Sequence, residues 1–307
     1  MAVEIALETV PAPEKRIWSA AELLRADFPE PVWIVPDILP EGLTILGGKP
    51  KLGKSWLALQ LAFAAGTGGR FMDYEITQRR VLFLALEDSK RRLRSRMISQ
   101  GWPDLDQVHF LTQCAPTELE GWLEKTEPQL LVIDTFSRFF NLDQSDVQPV
   151  TEALGDLQSL VMERGISALV LDHHNKAAGE DAIADLLGST GKGAVADTIW
   201  GLYREQGQHD ARVSIRGRDV EADELRLRWD PMLCCWQIIH DEETGAHDAS
   251  VSQALANGPA GVTELARDLQ INKASAHRSL CRLVKARRVY QDPKTKKYSI
   301  TSPKELM

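Results

Sequence analysis

The sequence predicts an α/β fold: a doubly wound, mostly parallel sheet with an antiparallel extension, followed by a small C-terminal winged-helix domain. Up to residue 172, short apolar runs of strand length alternate with helical stretches, and this alternation is typical of a parallel sheet. Four β-like segments follow between residues 197 and 239 without long helices between them, which indicates antiparallel strands. Residues 250–307 then follow the order helix, helix, turn, helix, hairpin, which predicts a winged helix-turn-helix.

A glycine-bearing loop joins the first strand of the sheet to its helix. Residues 48–55 match G-x-x-x-x-G-K-[ST], with an apolar strand before them and an apolar helical run, residues 56–65, after them. Backbone N–H groups and the positive end of a helix meet at such a loop and bind phosphate; the alternative is an ordinary glycine-containing turn. Lys54 is expected at the β- and γ-phosphates of ATP, and the Ser55 hydroxyl at Mg²⁺. The residues predicted to bind ATP are Gly48, Lys49, Pro50, Lys51, Leu52, Gly53, Lys54, Ser55 and Trp56.

Acidic residues end two of the later apolar strands. The strand after the phosphate loop ends in Glu87-Asp88, and a four-residue apolar run further on ends in Asp134. Ligands of doubly wound sheets bind at the carboxyl ends of the strands. We therefore expect Asp134 to hold Mg²⁺ and Glu87 to orient the attacking water. The alternative for the acidic pair is helix capping, which suits Asp88 or Ser89.

The helix predicted over residues 89–100 is rich in arginine. Leu93 and Met97, four residues apart, define its buried side. The remaining faces carry arginines at positions 91, 92, 94 and 96, which we interpret as solvated surface charge, with a nucleic-acid contact as the alternative.

Composition divides the chain into an acidic body and a basic end. Residues 251–307 hold eleven Lys or Arg against four Asp or Glu, a balance of +7, which leaves −15 for residues 1–250 of a chain whose net charge is −8. A basic module on an acidic body predicts a polyanion partner. The four cysteines have no zinc-site spacing, and no apolar stretch approaches the length of a membrane span, so we expect a cytoplasmic protein.

Four segments are expected along the chain. They are an N-terminal arm over residues 1–36, the α/β domain over 37–240, a linker over 241–249 and the winged helix over 250–307. In the arm, residues 18–26 predict a short helix with Leu23 and Leu24 facing inward. The linker is placed at a charged run that ends in glycine.

The third helix of the C-terminal module, over residues 273–288, is the predicted recognition helix. Leu280, Leu283 and Val284 form its inner stripe, which leaves the polar residues near its start for a major groove. A lysine-rich hairpin tip is expected on phosphates. The predicted DNA-binding residues are Lys273, Ser275, His277, Arg278, Lys294, Lys296 and Lys297. The alternative is a winged helix that binds protein, since the fold alone does not specify nucleic acid.

Five motifs in order resemble the RecA-type ATPases, and within them the RepA group of hexameric replicative helicases of plasmids and phages. The motifs are residues 48–55, 84–89, 131–135, 173–176 and 215–219, within a resemblance that covers roughly residues 18–240. The resemblance implies that Glu87 is the catalytic carboxylate and His174 the γ-phosphate sensor. It also implies a homo-oligomer, such as a hexamer, in which Arg216 and Arg218 enter the nucleotide site of the neighbouring subunit.

Two of these implied roles have alternatives. Asp172, His173 and His174 are residue types that bind metals, although adjacent residues of a strand face opposite sides. Arg216 and Arg218 also fit a solvated surface. The segments that line the DNA channel in such proteins, here residues 141–149 and 176–193, are not strongly basic and have no aromatic platform for single-stranded DNA.

Three functions are consistent with the sequence. The first is Mg-dependent ATP hydrolysis coupled to DNA transactions, as in an oligomeric helicase or a replication or recombination ATPase of a mobile element. The second is a nucleotide-switched DNA-binding regulator. The third is an ATPase of a defence or signalling system whose winged helix binds protein.

Overall fold

A computed structural model gives the fold of most of the chain. It describes residues 17–28, 31–144, 146–173, 189–204, 210–220, 223–239, 246–271, 273–285, 288–292 and 295–300. The chain divides into two compact units, residues 1–31 and residues 32–307. No described helix has the length and apolar character needed to cross a membrane.

Up to residue 173, the described strands and helices of the larger unit follow the predicted alternation. The helices are α1 (Ala20–Arg25), α2 (Lys54–Thr67), α3 (Lys90–Ser99), α4 (Leu119–Thr126), α5 (Phe136–Phe140), α6 (Val147–Glu163), α7 (Ser189–Val195), α8 (Ala246–Ala256), α9 (Val262–Leu269) and α10 (Lys273–Lys285). The strands are β1 (Trp33–Val35), β2 (Leu39–Pro40), β3 (Gly42–Gly48), β4 (Arg70–Phe71), β5 (Tyr74–Glu75), β6 (Val81–Ala85), β7 (Val108–Leu111), β8 (Leu130–Asp134), β9 (Ser167–His173), β10 (Thr198–Tyr203), β11 (Asp210–Gly217), β12 (Asp223–Asp230), β13 (Cys235–Ile238), β14 (Tyr290–Gln291) and β15 (Tyr298–Ser299).

A nine-stranded sheet forms the centre of the larger unit, in the order β13-β12-β11-β10-β3-β9-β8-β6-β7. The strands from β10 to β7 in this order are parallel, and β11 to β13 continue the sheet in antiparallel fashion. The predicted fold class is confirmed. The expectation that the segment around Thr198–Tyr203 belongs to the antiparallel extension is correct for one edge of the strand only: β10 pairs antiparallel with β11 but in parallel with β3.

Two apolar layers cover the sheet. Strands buried on both faces read as continuous apolar runs, which is why β6 and β8 were visible in the sequence. On one face, α2 packs against alternate residues such as Leu169 and Leu171. On the other face, α6 packs against Ala168 and Val170. The carboxyl ends of β3, β6, β8 and β9 therefore meet at one edge, between α2 and the loops that follow these strands.

The described part of the smaller unit contains one short helix. The Ser19 hydroxyl accepts from the Glu22 amide at 3.2 Å, and the Glu22 carboxylate accepts from the Ser19 amide at 2.8 Å, so a capping box starts α1. The prediction that Leu23 and Leu24 face inward is wrong: they are 48% and 88% exposed.

The C-terminal module has its own apolar core, to which α8, α9, α10 and the hairpin β14–β15 contribute. Leu280 and Leu283 are buried as predicted, whereas Val284 is 39% exposed and lies outside the inner stripe. Helix α8 begins at Ala246, inside the segment predicted to be a linker.

Candidate functional site

The predicted phosphate loop lies at the C-terminal edge of the sheet and leads into the N-terminus of α2. Gly53 precedes the helix with φ of 104°, in the left-handed region, and a Cβ atom there would lie 2.9 Å from the Trp236 ring. Lys54 is 6% exposed, and its Nζ donates to the carbonyls of Gly48 at 2.5 Å and Lys49 at 3.2 Å. Burial lowers the pKa of Lys54 to about 8, although the nearby carboxylates oppose this shift. An anion in the loop would give this buried ammonium group a counter-charge.

Asp134 provides a buried carboxylate opposite the loop. It ends β8, is 4% exposed, and its side chain is hydrogen-bonded to that of Ser55. Burial raises the pKa of Asp134 to about 6, while the Ser55 bond opposes the rise. Its Oδ1 atom is buried without a hydrogen-bond partner among the described residues. A carboxylate oxygen in this condition beside a hydroxyl fits a hard cation such as Mg²⁺.

Glu87 follows β6, the strand next to β8, and its orientation is fixed by side chains from the loop after β8. Thr135 Oγ1 donates to Glu87 Oε1 at 3.0 Å, and Arg138 Nε lies 4.0 Å from the same oxygen. Asp88 has a different environment: it pairs with Arg92 at 3.2 Å and Arg96 at 2.5 Å. Of these two carboxylates, Glu87 lines the pocket.

Capping of α3 falls to Ser89, whose hydroxyl accepts from the Arg92 amide at 3.3 Å. The capping alternative for the acidic pair therefore does not apply to Glu87. The helix side chain Leu93 is buried as predicted.

A histidine also reaches the pocket, but it precedes the predicted one. His174 lies outside the described residues. His173, the last residue of β9, lines the pocket, and its Nδ1 lies 3.4 Å from Lys54 Nζ. Burial, and then the positive charge of Lys54, lower the pKa of His173, so its ring is neutral at pH 7. Strand alternation from Leu169 and Leu171, which face α2, is the sequence signal that points to His173.

These groups surround one cavity of roughly 530 Å³. Its lining residues are Pro50, Lys51, Gly53, Lys54, Ser55, Trp56, Glu87, Arg96, Asp134, Thr135 and His173. Of the other residues predicted to bind ATP, Gly48 and Lys49 supply the carbonyls that Lys54 contacts, and Leu52 packs against the core. Arg96 lies over the Trp56 ring at 5.3 Å, so its interpretation as solvated surface charge is wrong. Among the described residues, no three His, Cys, Asp or Glu side chains are grouped so that they could hold a metal ion.

Arg216 and Arg218 lie far from this pocket. In the pairing of β11 with β10, Arg216 is opposite Ile199 and Gly217 is opposite Thr198. Thr198 in turn pairs with Thr44, four residues before Gly48, so these arginines lie at the opposite end of the strands, about 13 Å or more from the loop. Arg218 pairs with Asp197 at 3.2 Å, and its guanidinium donates to Ala194 O at 2.9 Å. Neither arginine can serve the nucleotide pocket of its own subunit in this arrangement.

The predicted recognition helix is not free in this structure. The Nζ atom of Lys273 lies 3.5 Å from Asp37 Oδ1, and the Nδ1 atom of His277 lies 3.6 Å from Asp37 Oδ2. The His277 ring also stacks on Tyr74 of β5 with centroids 5.5 Å apart. Burial lowers the pKa of His277. Two residues predicted to enter a major groove are therefore packed against the α/β domain, because they complement an acidic and aromatic surface there.

The other predicted DNA contacts are distributed over α10 and the wing. Arg278 donates to the Ser275 hydroxyl at 3.0 Å. Lys296 is exposed, Lys297 pairs with Glu264 at 3.0 Å, and Lys294 lies outside the described residues.

Comparison with known proteins identifies the family of this chain and proteins that share its fold. Residues 9–179 match the model of a family described as AAA domain, and residues 253–293 match the IclR helix-turn-helix domain. The DNA repair protein RadA of Streptococcus pyogenes (serotype M6) is 26% identical over 148 residues, which cover 45% of this chain and 29% of RadA. RadA of Halalkalibacterium halodurans is 24% identical over 143 residues, with 45% and 29% covered. The chain thus covers less than a third of the length of these relatives.

The KaiC-like protein PH0186 from Pyrococcus horikoshii shares the fold. Its structure matches with a TM-score of 0.50 at 18% identity, covering 69% of this chain and 99% of that one. The AAA domain match spans more than half of the 307 residues and includes the phosphate loop, Glu87 and Asp134. The chain therefore belongs to the AAA domain family, shares the fold of the KaiC-like protein, and carries a segment that matches the IclR helix-turn-helix domain after the AAA domain.

Proposed function

We propose that the chain binds Mg·ATP in this pocket and hydrolyses it. The observation that carries the proposal is the meeting, at one edge of the sheet, of buried Lys54, the unsatisfied carboxylate oxygen of Asp134, and Glu87 on the neighbouring strand. These groups match the protein roles in phosphoryl transfer. Held by Ser55 and Asp134, Mg²⁺ would neutralise charge that develops on the phosphate oxygens.

Each side chain of the pocket then has a task. Lys54 exchanges its loop carbonyls for the β- and γ-phosphate oxygens. Glu87, held by the Thr135 hydroxyl and 40% exposed on its side chain, accepts a hydrogen bond from the attacking water. His173, neutral and beside Lys54, is the described residue suited to sense the γ-phosphate; His174 keeps that role as a prediction. Arg96 over Trp56 offers a flat surface for the base.

Assembly into a homo-oligomer would add a second positive charge, besides Lys54, at the γ-phosphate. Arg216 and Arg218 lie at the opposite end of the strands from their own loop, a position that supports a role in a neighbouring subunit. Of the two, Arg216 is the better candidate because Arg218 is paired with Asp197. A hexamer of the RepA type, acting as a helicase or replication or recombination ATPase of a mobile element, is the corresponding assembly.

DNA is the proposed partner of the C-terminal module. The IclR helix-turn-helix match, the DNA repair role in the printed name of RadA, and the surplus of basic residues support this. One observation favours a second function, a nucleotide-switched DNA-binding regulator: Lys273 and His277 contact Asp37, so α10 must leave the α/β domain before it enters a major groove.

One set of assays tests these proposals. ATPase rates of the full chain would be measured without DNA, with single strands and with duplex, alongside molar mass by light scattering. We expect slow basal hydrolysis that is lost in both Lys54→Ala and Glu87→Gln, with nucleotide binding retained only in the second. Glu152→Gln, the same change at an exposed position of α6, is the control. Wild-type turnover in Glu87→Gln contradicts the role of Glu87.

The measurements with DNA distinguish the helicase from the nucleotide-switched regulator. Strand displacement that depends on ATP favours the helicase. Duplex binding that changes with nucleotide, without displacement, favours the regulator. Absence of duplex binding at low salt by the full chain and by Asp37→Asn contradicts both.

A further inference from the structure

A fully buried ion pair lies behind the nucleotide pocket. Lys192 of α7 is 0% exposed and Asp172 of β9 is 1% exposed, with Nζ 2.5 Å from Oδ2. The same Nζ donates to Gln144 Oε1 at 2.8 Å and lies 4.4 Å from the centroid of the Phe136 ring. None of the roles proposed for ATP hydrolysis uses these two charges, which we call the buried pair.

Stability does not account for the buried pair. Removing two charges from water costs several kcal/mol per ion, and replacement of such a pair by apolar residues is often neutral or stabilising. Burial lowers the pKa of Lys192, in keeping with this cost. The second oxygen of Asp172, Oδ1, has no hydrogen-bond partner among the described residues. Because the buried pair costs free energy of folding, we look for its role in the groups that it positions.

The buried pair lies next to a residue of the pocket. Asp172 directly precedes His173 on β9, and successive strand residues face opposite sides of a sheet. His173 therefore points into the pocket, 3.4 Å from Lys54 Nζ, while Asp172 points to the α6 face and binds Lys192. Through Gln144 the pair also reaches the segment that follows β8, the strand that ends in Asp134.

We propose that Asp172 and Lys192 are positioning residues that fix the end of β9, and with it His173, relative to the γ-phosphate. A displacement of His173 on nucleotide binding passes through Asp172 to α7 and to Gln144. This inference rests on the proposed ATPase function and adds two residues to it. The pair sets the turnover step and the nucleotide response of α7, rather than nucleotide affinity.

The test uses the full chain and three variants of it. Lys192→Met alone leaves a buried carboxylate unpaired and risks unfolding. The informative variant is therefore the double change Asp172→Asn with Lys192→Met, which removes both charges. Lys192→Arg keeps the charge. Arg164→Met, which removes an ion pair with Glu120 at the C-terminal end of α6, is the matched control for loss of an ion pair elsewhere.

We expect the double variant to melt at or above the wild-type temperature and to bind a fluorescent ATP analogue within about twofold of the wild-type Kd. Its kcat falls at least about tenfold with KM nearly unchanged. In Lys192→Arg, kcat lies at least a third of the way from the double-variant value back to the wild-type value. A structural role of the pair alone does not predict this pattern. Mg²⁺ and a non-hydrolysable ATP analogue slow amide exchange of residues 189–195 in wild type but not in the double variant.

Each contrary outcome is distinct. A folded double variant with kcat within twofold of wild type overturns the inference, as does a wild type whose residues 189–195 show no response to nucleotide. A wild type that binds no nucleotide overturns the proposed function, and the inference with it.

Discussion

Replacing Asp134 by asparagine is expected to stabilise the nucleotide-free chain while abolishing Mg-dependent hydrolysis. The carboxylate is 4% exposed, one of its oxygens is unsatisfied among the described residues, and Glu87 and Asp88 add negative charge nearby. Ionisation of Asp134 therefore destabilises the nucleotide-free fold, and only a bound cation would give the unsatisfied oxygen a partner. Function and stability oppose each other at this position, as they often do at active sites.

The size of the effect follows from the pKa. Burial raises the pKa of Asp134 from 3.8 to about 6, and each unit corresponds to about 1.36 kcal/mol, so ionisation costs the fold about 3 kcal/mol at most. Because the folded state holds this proton more tightly than the unfolded state, the free energy of unfolding falls as pH rises from 4 to 6. Asparagine avoids this loss but brings buried amide donors. We expect a gain of about 1 to 3 kcal/mol above pH 7, or roughly 2 to 6 °C in Tm.

Calorimetry in EDTA without nucleotide, at pH 8 and at pH 5, measures this gain. The Tm difference should be largest at pH 8 and shrink at pH 5, where wild-type Asp134 is mostly protonated. Asp104→Asn, at an exposed position, is the control and should change Tm little at either pH. Added Mg·ATP should raise the Tm of wild type and not that of Asp134→Asn. A variant that melts below wild type at pH 8, or a difference that is equal at both pH values, refutes the reasoning.

Three other predictions concern assembly and DNA. Mixing Arg216→Ala with Lys54→Ala should restore part of the ATPase activity, because at a shared interface one chain supplies the lysine and the other the arginine. Rates that are strictly proportional to protein concentration, without complementation, contradict this prediction. Neutralising Lys294, Lys296 and Lys297 should weaken duplex binding for all sequences and lower the salt slope by about one unit per lost phosphate contact, measured by titration at several salt concentrations. Asp37→Asn should tighten duplex binding about threefold, because loss of a docking preference of about 1 kcal/mol raises the undocked fraction from about one in six to about one in two; unchanged affinity argues against a docked α10.

Strand positions in the sheet were predictable because their signal is local. Strands β6 and β8 have every residue buried, and runs of this kind are visible without knowledge of their neighbours. Strand direction was harder to predict. No long helix separates β10 from the antiparallel strands that follow it, yet β10 pairs in parallel with β3 and antiparallel only with β11. The hairpin of β4 with β5 has strands of two residues, which are too short to show a period, and it was not predicted. The prediction for the inner side of α1 failed because Leu23 and Leu24 have the expected spacing but are exposed.

Within the candidate site, motif spacing pointed to Lys54, Asp134 and Glu87, all of which line the pocket. His173 was within reach of strand alternation, which places it on the α2 face with Leu171. Arg96 could not be predicted as a pocket residue, because the orientation of its side chain depends on how α3 packs beside α2 and on the Trp56 ring that it covers. The sequence shows a helix with four arginines, and only the tertiary structure distinguishes one of them.

Docking of α10 changes how the basic end of the chain should be understood. Net charge predicts attraction to a polyanion, but the apparent affinity also depends on the fraction of chains whose α10 is undocked. The pair of Lys273 and Asp37 is partly exposed, with side chains 41% and 16% accessible, and pairs of this kind contribute up to about 1 kcal/mol. A preference of about 1 kcal/mol leaves about one chain in six undocked and raises the apparent Kd for DNA about sixfold. If the C-terminal module binds DNA as proposed, DNA competes with Asp37 for the same face of α10. ATP would then regulate this competition only to the extent that it binds the docked and undocked forms with different affinity.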